Sequence, residues 1–137
     1  MQQYIGTKIV QAEPDSKGEG YKVRYADGYE SWSPKNVFEE AYLPVTVNPD
    51  LRTDRPSISQ QMVDDFIASV EVQTMGEKTT VVRATLRNGF EIVEASSFVS
   101  KEDYDEKLGA EICLGKIKYK VWMLLGFLLQ TAVSGVK

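Results

Sequence analysis

Histidine is absent from this chain of 137 residues, and cysteine occurs once, as Cys113. Without histidine there is no Ser–His or Cys–His nucleophile pair, and the commonest acid–base group and zinc ligand are missing. A single cysteine excludes an internal disulfide and any CxxC metal or redox motif. With no histidine to activate it, Cys113 is predicted to be a small buried apolar residue. We therefore expect no catalytic residue, no metal site and no cofactor.

Positive charge and long apolar runs are also scarce. Sixteen basic side chains against twenty acidic ones leave a net charge of −4 at pH 7, which makes DNA and RNA poor partners. The longest apolar run, Val121 to Leu129, has nine residues and contains Gly126, whereas a membrane helix needs about 20. The N-terminal residues MQQYIGTKIV are not a secretory signal, because no basic region precedes an apolar one. The sequence predicts a soluble, cytoplasmic protein without a membrane partner.

The first third of the chain is typical of short strands and one short helix. We expect a strand over Tyr4 to Gln11, and a hairpin whose strands, Tyr21–Ala26 and Tyr29–Trp32, flank a two-residue turn at Asp27-Gly28. Such a turn would place Val23 opposite Trp32. Ser33 is a candidate N-cap and Pro34 suits the first helical position, so a short helix is predicted to run to about Tyr42.

Three prolines between Leu43 and Pro56 disfavour regular structure in that segment. The sequence is therefore predicted to divide into an N-terminal module over residues 1–43, a linker over residues 44–56, and a second part over residues 57–137.

The second part is predicted to contain a helix over Ser57 to Ile67, a strand over Val70 to Met75, and a hairpin. The strands of that hairpin, Thr79–Arg87 and Phe90–Ala95, flank a two-residue turn at Asn88-Gly89. This register would place Arg83 opposite Glu94, with Val82, Ala84, Leu86, Val93 and Ala95 together on one apolar face. Together with the first hairpin, it indicates an α+β fold built on an antiparallel sheet.

The last third is predicted to be helical from an acidic first turn after Ser100 to about Ala132, with a break near Gly109. It carries an apolar stripe that one small sheet cannot cover, which predicts a homo-oligomer packed through the C-terminal helices. The stripe and the bulky residues beside it are Ile117, Val121, Leu124, Leu125, Leu128, Trp122 and Phe127.

Several cations lie near aromatic residues, a combination that suits a nucleotide because cations bind phosphate and rings stack on bases. Arg83 lies on the second hairpin, and Lys116 and Lys120 are one helical turn apart, just before Trp122. An ion pair between Arg83 and Glu94, with an ordinary solvated lysine face, explains the same residues without a ligand.

Five short motifs between Val70 and Gln130 follow one another in a recognisable order. They are Asn88-Gly89-Phe90, Tyr104-Asp105, Leu108-Gly109, Lys120-Val121-Trp122 and Gly126-Phe127-Leu128-Leu129. With these motifs, the segment resembles a family of small phage proteins designated by the gene-product numbers forty-nine and sixty-six. The N-terminal residues of the chain, such as Ser31-Trp32-Ser33-Pro34, are similar to a module at the start of various phage and prophage proteins.

Phage proteins of this size, with an antiparallel sheet followed by two C-terminal helices, resemble the Thoeris anti-defence 1 sponges. That resemblance implies an oligomer that sequesters a cyclic ADP-ribose-type signal made by TIR-domain proteins, at sites between subunits and without cleaving it. The family pattern has a basic residue where this chain has Ala110, and alanine or arginine near the position of Cys113. Basic ligand contacts would therefore have to come from Lys116, Lys118 or Arg83. The candidate ligand-binding residues are Arg83, Asn88, Phe90, Lys116, Lys120 and Trp122.

Two other functions fit the sequence. The apolar C-terminal helix could bind and block a host enzyme, in which case no nucleotide would be taken up. A small hydrolase of the same signal would release it cleaved. The sponge is the function that we expect, and it is not an enzyme.

Overall fold

The computed structural model describes all 137 residues and contains two three-stranded antiparallel sheets with three α-helices. This architecture confirms the predicted α+β class. The chain divides into two compact units, one formed by residues 1–45 and 127–137 and the other by residues 46–126. No helix is both long enough and apolar enough to cross a membrane.

The first unit contains a sheet with the strand order β1-β2-β3, followed by a short helix. The strand predicted from Tyr4 is wrong, because residues 1–10 have no regular structure and pairing begins at Gln11. Gln11 pairs with Arg24, the last residue of β2, and the next amide, that of Tyr25, bonds to the Tyr29 carbonyl, so the residues before Gln11 have no strand opposite them. The elements are β1 (Gln11–Pro14), β2 (Gly20–Arg24), β3 (Glu30–Pro34) and α1 (Lys35–Ala41).

Helix α1 is held on this sheet by stacked aromatic rings. Phe38 lies between Tyr21 and Tyr42, with ring centroids 4.3 Å and 4.8 Å apart. A helix of seven residues is unstable alone, so this contact stabilises it. The expected cap at Ser33 is not formed, since its hydroxyl donates to the Pro34 carbonyl instead.

The second unit follows the predicted order of helix, strands and long helix. The first helix of this unit begins at Gln60, three residues after the predicted start at Ser57. The Ser59 hydroxyl caps it by accepting a hydrogen bond from the Met62 amide. Residues 44–56 form no helix or strand, as their prolines predict. The elements are α2 (Gln60–Phe66), β4 (Ile67–Met75), β5 (Thr79–Leu86), β6 (Glu91–Ser97) and α3 (Glu106–Ser134), with a 3-10 turn at Lys101–Asp103.

The hairpin between β5 and β6 has a three-residue loop, not the predicted two-residue turn. Leu86 and Phe90 close the loop through an N–H to carbonyl bond of 2.8 Å, leaving Arg87, Asn88 and Gly89 between them. Gly89 alone has positive φ (88°), which is typical of a type I turn followed by a glycine bulge. The Asx bond from the Phe90 amide to the Asn88 side chain, 3.1 Å, favours this loop.

One extra loop residue moves every side chain of β6 to the other face of the sheet. Arg83 is opposite Val93 rather than Glu94, so the predicted register is wrong. Ile92 is therefore buried under α3 with 7% of its surface exposed, while Val93 is 55% exposed on the other face.

The first hairpin repeats this loop, and its predicted register is wrong for the same reason. Tyr25 and Tyr29 close it through a bond of 2.9 Å, and Asp27 accepts from the Tyr29 amide. Val23 is opposite Ser31. Trp32 accordingly lies on the opposite face of the sheet from Val23.

Helix α3 is continuous, so the predicted break near Gly109 and the division into two C-terminal helices are wrong. Its buried side is a stripe repeating every four residues, in which Gly109 and Cys113 lie against buried Thr80 of β5. The Cys113 thiol lies in this stripe, as predicted, and burial raises its pKa. The stripe is Gly109, Cys113, Ile117, Val121 and Leu125.

Gly109 lets the helix approach the sheet closely. A Cβ there would collide with the hydroxyl and Cβ of buried Thr80. We expect Gly109→Ala to lower the free energy of unfolding by about 1–3 kcal/mol, as overpacking does. Urea unfolding would measure it, with Gly115→Ala as the control, because a Cβ at Gly115 meets no atom within 4 Å. Equal stability of the two variants would show that the contact with Thr80 does not limit the packing.

Candidate functional site

An open groove of about 300 Å³ lies in the second unit, between the start of β6 and the middle of α3. Its volume is at the lower end of the range for small-molecule sites. The Phe90 ring is 59% exposed at one side, and the Lys120 ammonium is the cation of the groove. The lining residues are Phe90, Glu91, Ile92, Val93, Lys120, Met123 and Leu124.

Lys120 is held in place by a carboxylate from the sheet. Its ammonium nitrogen lies 2.5 Å from Glu94, whose side chain is only 17% exposed. One turn earlier, Lys116 donates to the Ala95 carbonyl at 3.1 Å. The hydrogen bond from Lys120, with the charge of Lys116, lowers the pKa of Glu94. Two cations of α3 are therefore fixed along β6 at the edge of the groove.

This lowered pKa makes the stability of the unit depend on pH. The folded protein favours the charged form of Glu94, so its contribution is complete above the ordinary carboxyl value of 4.5 and is lost as the pH falls through the lowered value. We expect wild type to be more stable than Glu94→Gln at pH 7, and the gap to close below pH 4.5. Thermal unfolding of both proteins across this range measures the gap. A gap that does not change with pH would contradict the role of the ion pair.

Asn88 lies in the hairpin loop, two residues before Phe90, which lines the groove. Its side-chain oxygen is used by the Phe90 amide, whereas its amide nitrogen donates to no group of the chain. Asn88 therefore has both a structural bond and a donor available to a ligand.

Aspartate can replace the structural bond of Asn88, since Asp27 makes the same bond in the first hairpin. We expect Asn88→Asp to keep the melting temperature, and Asn88→Ala to lower the free energy of unfolding by about 0.5–1.5 kcal/mol. Because only the donor is lost in Asn88→Asp, a weaker ligand affinity in this variant would come from the amide. Thermal unfolding and ligand titration of both variants separate the two roles, and unchanged affinity in both would exclude Asn88 from the site.

Arg83 lies on the face of the sheet that α3 does not cover. Its guanidinium is 2.6 Å from Glu71 and 3.7 Å from Glu91, so both neighbouring strands supply a carboxylate. The predicted alternative of an ion pair with Glu94 is wrong, because Glu94 points to the helix side and binds Lys120. Arg83 is thus separated from Phe90 and Lys120 by its position on the sheet.

Trp122 lies on the opposite flank of α3 from Lys120. Lys118, one turn before Trp122, is bonded to Asp64 of α2 at 3.0 Å, whereas Lys120 is bonded to β6. Residues two apart on a helix point about 200° away from each other. Of the six candidate residues, the structure brings Phe90 and Lys120 together, with Asn88 and Lys116 nearby.

Several residues of the groove were not predicted from the sequence. Glu91, Met123 and Leu124 were not singled out as binding residues, and Glu94, which holds Lys120 at the edge, was assigned to the wrong face through the register. The sequence signal that could have found them is the Asx residue before glycine, since it also favours a three-residue loop.

These features define a small α+β protein with an open groove that combines an aromatic ring, apolar side chains and a fixed cation. The family model of the phage protein (N4 Gp49/phage Sf6 gene 66) family matches residues 58–133, more than half of the chain. The chain belongs to this family of phage proteins. No curated protein and no solved structure matches the chain.

Proposed function

We propose that this phage protein binds and sequesters a cyclic ADP-ribose-type signalling nucleotide without cleaving it, and so opposes a host defence that uses TIR-domain proteins. The observation that carries the proposal is the groove beside Phe90. It offers an exposed ring on which a base can stack and apolar side chains beside that ring, which suit the uncharged part of a nucleotide. The resemblance to the anti-defence sponges supplies the class of ligand.

The chemistry of the groove suits binding. Ile92 and Leu124 form apolar surface, and Phe90 and Met123 are exposed at its edge. Sequestration requires affinity and a slow release, which stacking and hydrogen bonds provide without a nucleophile.

We also propose that the protein is a homo-oligomer, packed through α3. The stripe from which the oligomer was predicted is not available for assembly, because Ile117, Val121 and Leu125 are buried within the chain itself. A second apolar stripe lies on the exposed side of the helix and has no charged residue within it. Its members are Leu108, Ile112, Tyr119 and Met123, all of them more than 40% exposed.

We propose that a second copy of the chain covers this exposed stripe. Its spacings of four, seven and four residues keep the four side chains on one side of the helix, where the corresponding side of a second helix can pack. Met123 belongs both to the stripe and to the groove, so a second copy packed there would cover one edge of the ligand site. This agrees with the sites between subunits that the resemblance implies.

The same stripe favours one rival function, the inhibition of a host enzyme through α3. The two functions differ in what the purified protein takes up. A panel of cyclic ADP-ribose, cyclic dinucleotides and cyclic mononucleotides is incubated with the protein, and the bound fraction is separated by size-exclusion chromatography. Retention of cyclic ADP-ribose alone supports the proposal. Absence of uptake across the panel would contradict it and favour the protein partner.

A further inference from the structure

The cations at the edge of the groove already have partners within the same unit. Lys120 is bound to Glu94, and Lys116 donates to the Ala95 carbonyl. The cations farther away are also paired, Lys118 with Asp64 and Arg83 with Glu71 and Glu91. An anionic ligand that used any of these groups would have to displace the existing partner or bind beside it, and either costs affinity. A ligand phosphate therefore needs another cation.

Arg87, in the loop that leads into the groove, has no ion pair. Its side chain is exposed, and its backbone amide is fixed by a bond of 2.9 Å to the Phe66 carbonyl at the end of α2. The bond between the Leu86 amide and the Phe90 carbonyl closes the loop, so the backbone of Arg87 lies next to Phe90, whose ring borders the groove. The position of its backbone is set by the fold, while its guanidinium is available.

We propose that Arg87 and the side-chain amide of Asn88 form an anion site at the tip of the hairpin, which binds the phosphates of a nucleotide whose base lies against Phe90. The inference rests on the proposed function and deepens it by assigning the two ends of the ligand to different groups. A guanidinium can bind two phosphate oxygens at once, and the Asn88 amide adds a neutral donor beside it. The groove proper then holds the uncharged part of the ligand.

The division of roles predicts that phosphate contacts and base contacts can be lost independently. The variant is Arg87→Gln, and the probes are cyclic ADP-ribose, ADP-ribose and adenosine, titrated by calorimetry into the full chain. We expect affinity for the two phosphate-bearing probes to fall roughly 10- to 100-fold, since a charge-assisted hydrogen bond is lost. Adenosine should bind as it does to wild type, and the melting temperature should not change because the Arg87 side chain has no partner within the chain and its backbone bond to Phe66 is kept.

The control is Arg83→Gln, because Arg83 is the paired arginine of the same hairpin. A loss in Arg87→Gln larger than in Arg83→Gln supports the anion site. Equal binding of ADP-ribose by wild type and Arg87→Gln would overturn it and leave the proposed function standing. If none of the three probes binds to wild type, the proposed function fails, and the anion site with it.

Discussion

Replacing Phe90 with leucine will lower the affinity for cyclic ADP-ribose roughly 5- to 150-fold, because the stacking of one base on an aromatic ring is worth about 1–3 kcal/mol. Leucine keeps most of the apolar contact and removes the ring. Phe90 is 59% exposed, so the substitution should leave the fold intact. Calorimetric titration measures the affinity, and thermal unfolding verifies the fold.

The matched control is Phe90→Tyr, which keeps a ring that can stack. We expect this variant to bind within a few-fold of wild type. A second control, Tyr29→Leu, removes a ring with 64% exposure from the other unit and should not affect binding. If Phe90→Leu and Phe90→Tyr bind equally well, no base stacks on this ring.

The double variant Tyr119→Glu and Met123→Glu will convert the proposed assembly into a monomer of 15.4 kDa. These side chains are 78% and 65% exposed in the single chain, so their replacement does not open the core. Two buried carboxylates facing a second copy would have no partners in the interface, which is strongly unfavourable. Light scattering at micromolar concentration measures the mass.

Val99→Glu is the control for the double variant, because Val99 is an apolar residue with 96% exposure outside the helices. It should keep the mass of wild type. A wild-type mass of 15 kDa under the same conditions would remove the assembly from the account.

The sequence predicted elements more reliably than the relations between them. Strands and helices of the second unit follow from local patterns, such as the Asn88-Gly89 turn that separates β5 from β6 and the apolar stripe of α3. The registers of both hairpins were wrong by one residue, since Asn-Gly and Asp-Gly are compatible with a two-residue or a three-residue loop. The side-chain bonds of Asn88 and Asp27 to the loop backbone form only once the loop is built.

The same error limited the prediction of the site. Phe90 and Lys120 could be named from their residue types, and the structure places both in the groove. Arg83 was predicted beside them, but its own unit surrounds it with carboxylates from two strands. Which cations are neutralised depends on cross-strand and helix–sheet pairs, and a one-residue shift in register changes all of them.

The most direct test of the account is the fate of the ligand after capture. The purified protein is saturated with cyclic ADP-ribose, freed of unbound nucleotide, denatured by heat, and the released molecules are identified by chromatography and mass spectrometry. Under sequestration we expect cyclic ADP-ribose to be recovered intact, in a constant ratio to protein and independent of the incubation time. Recovery of ADP-ribose or other cleaved products, increasing with time, would contradict sequestration and identify a hydrolase.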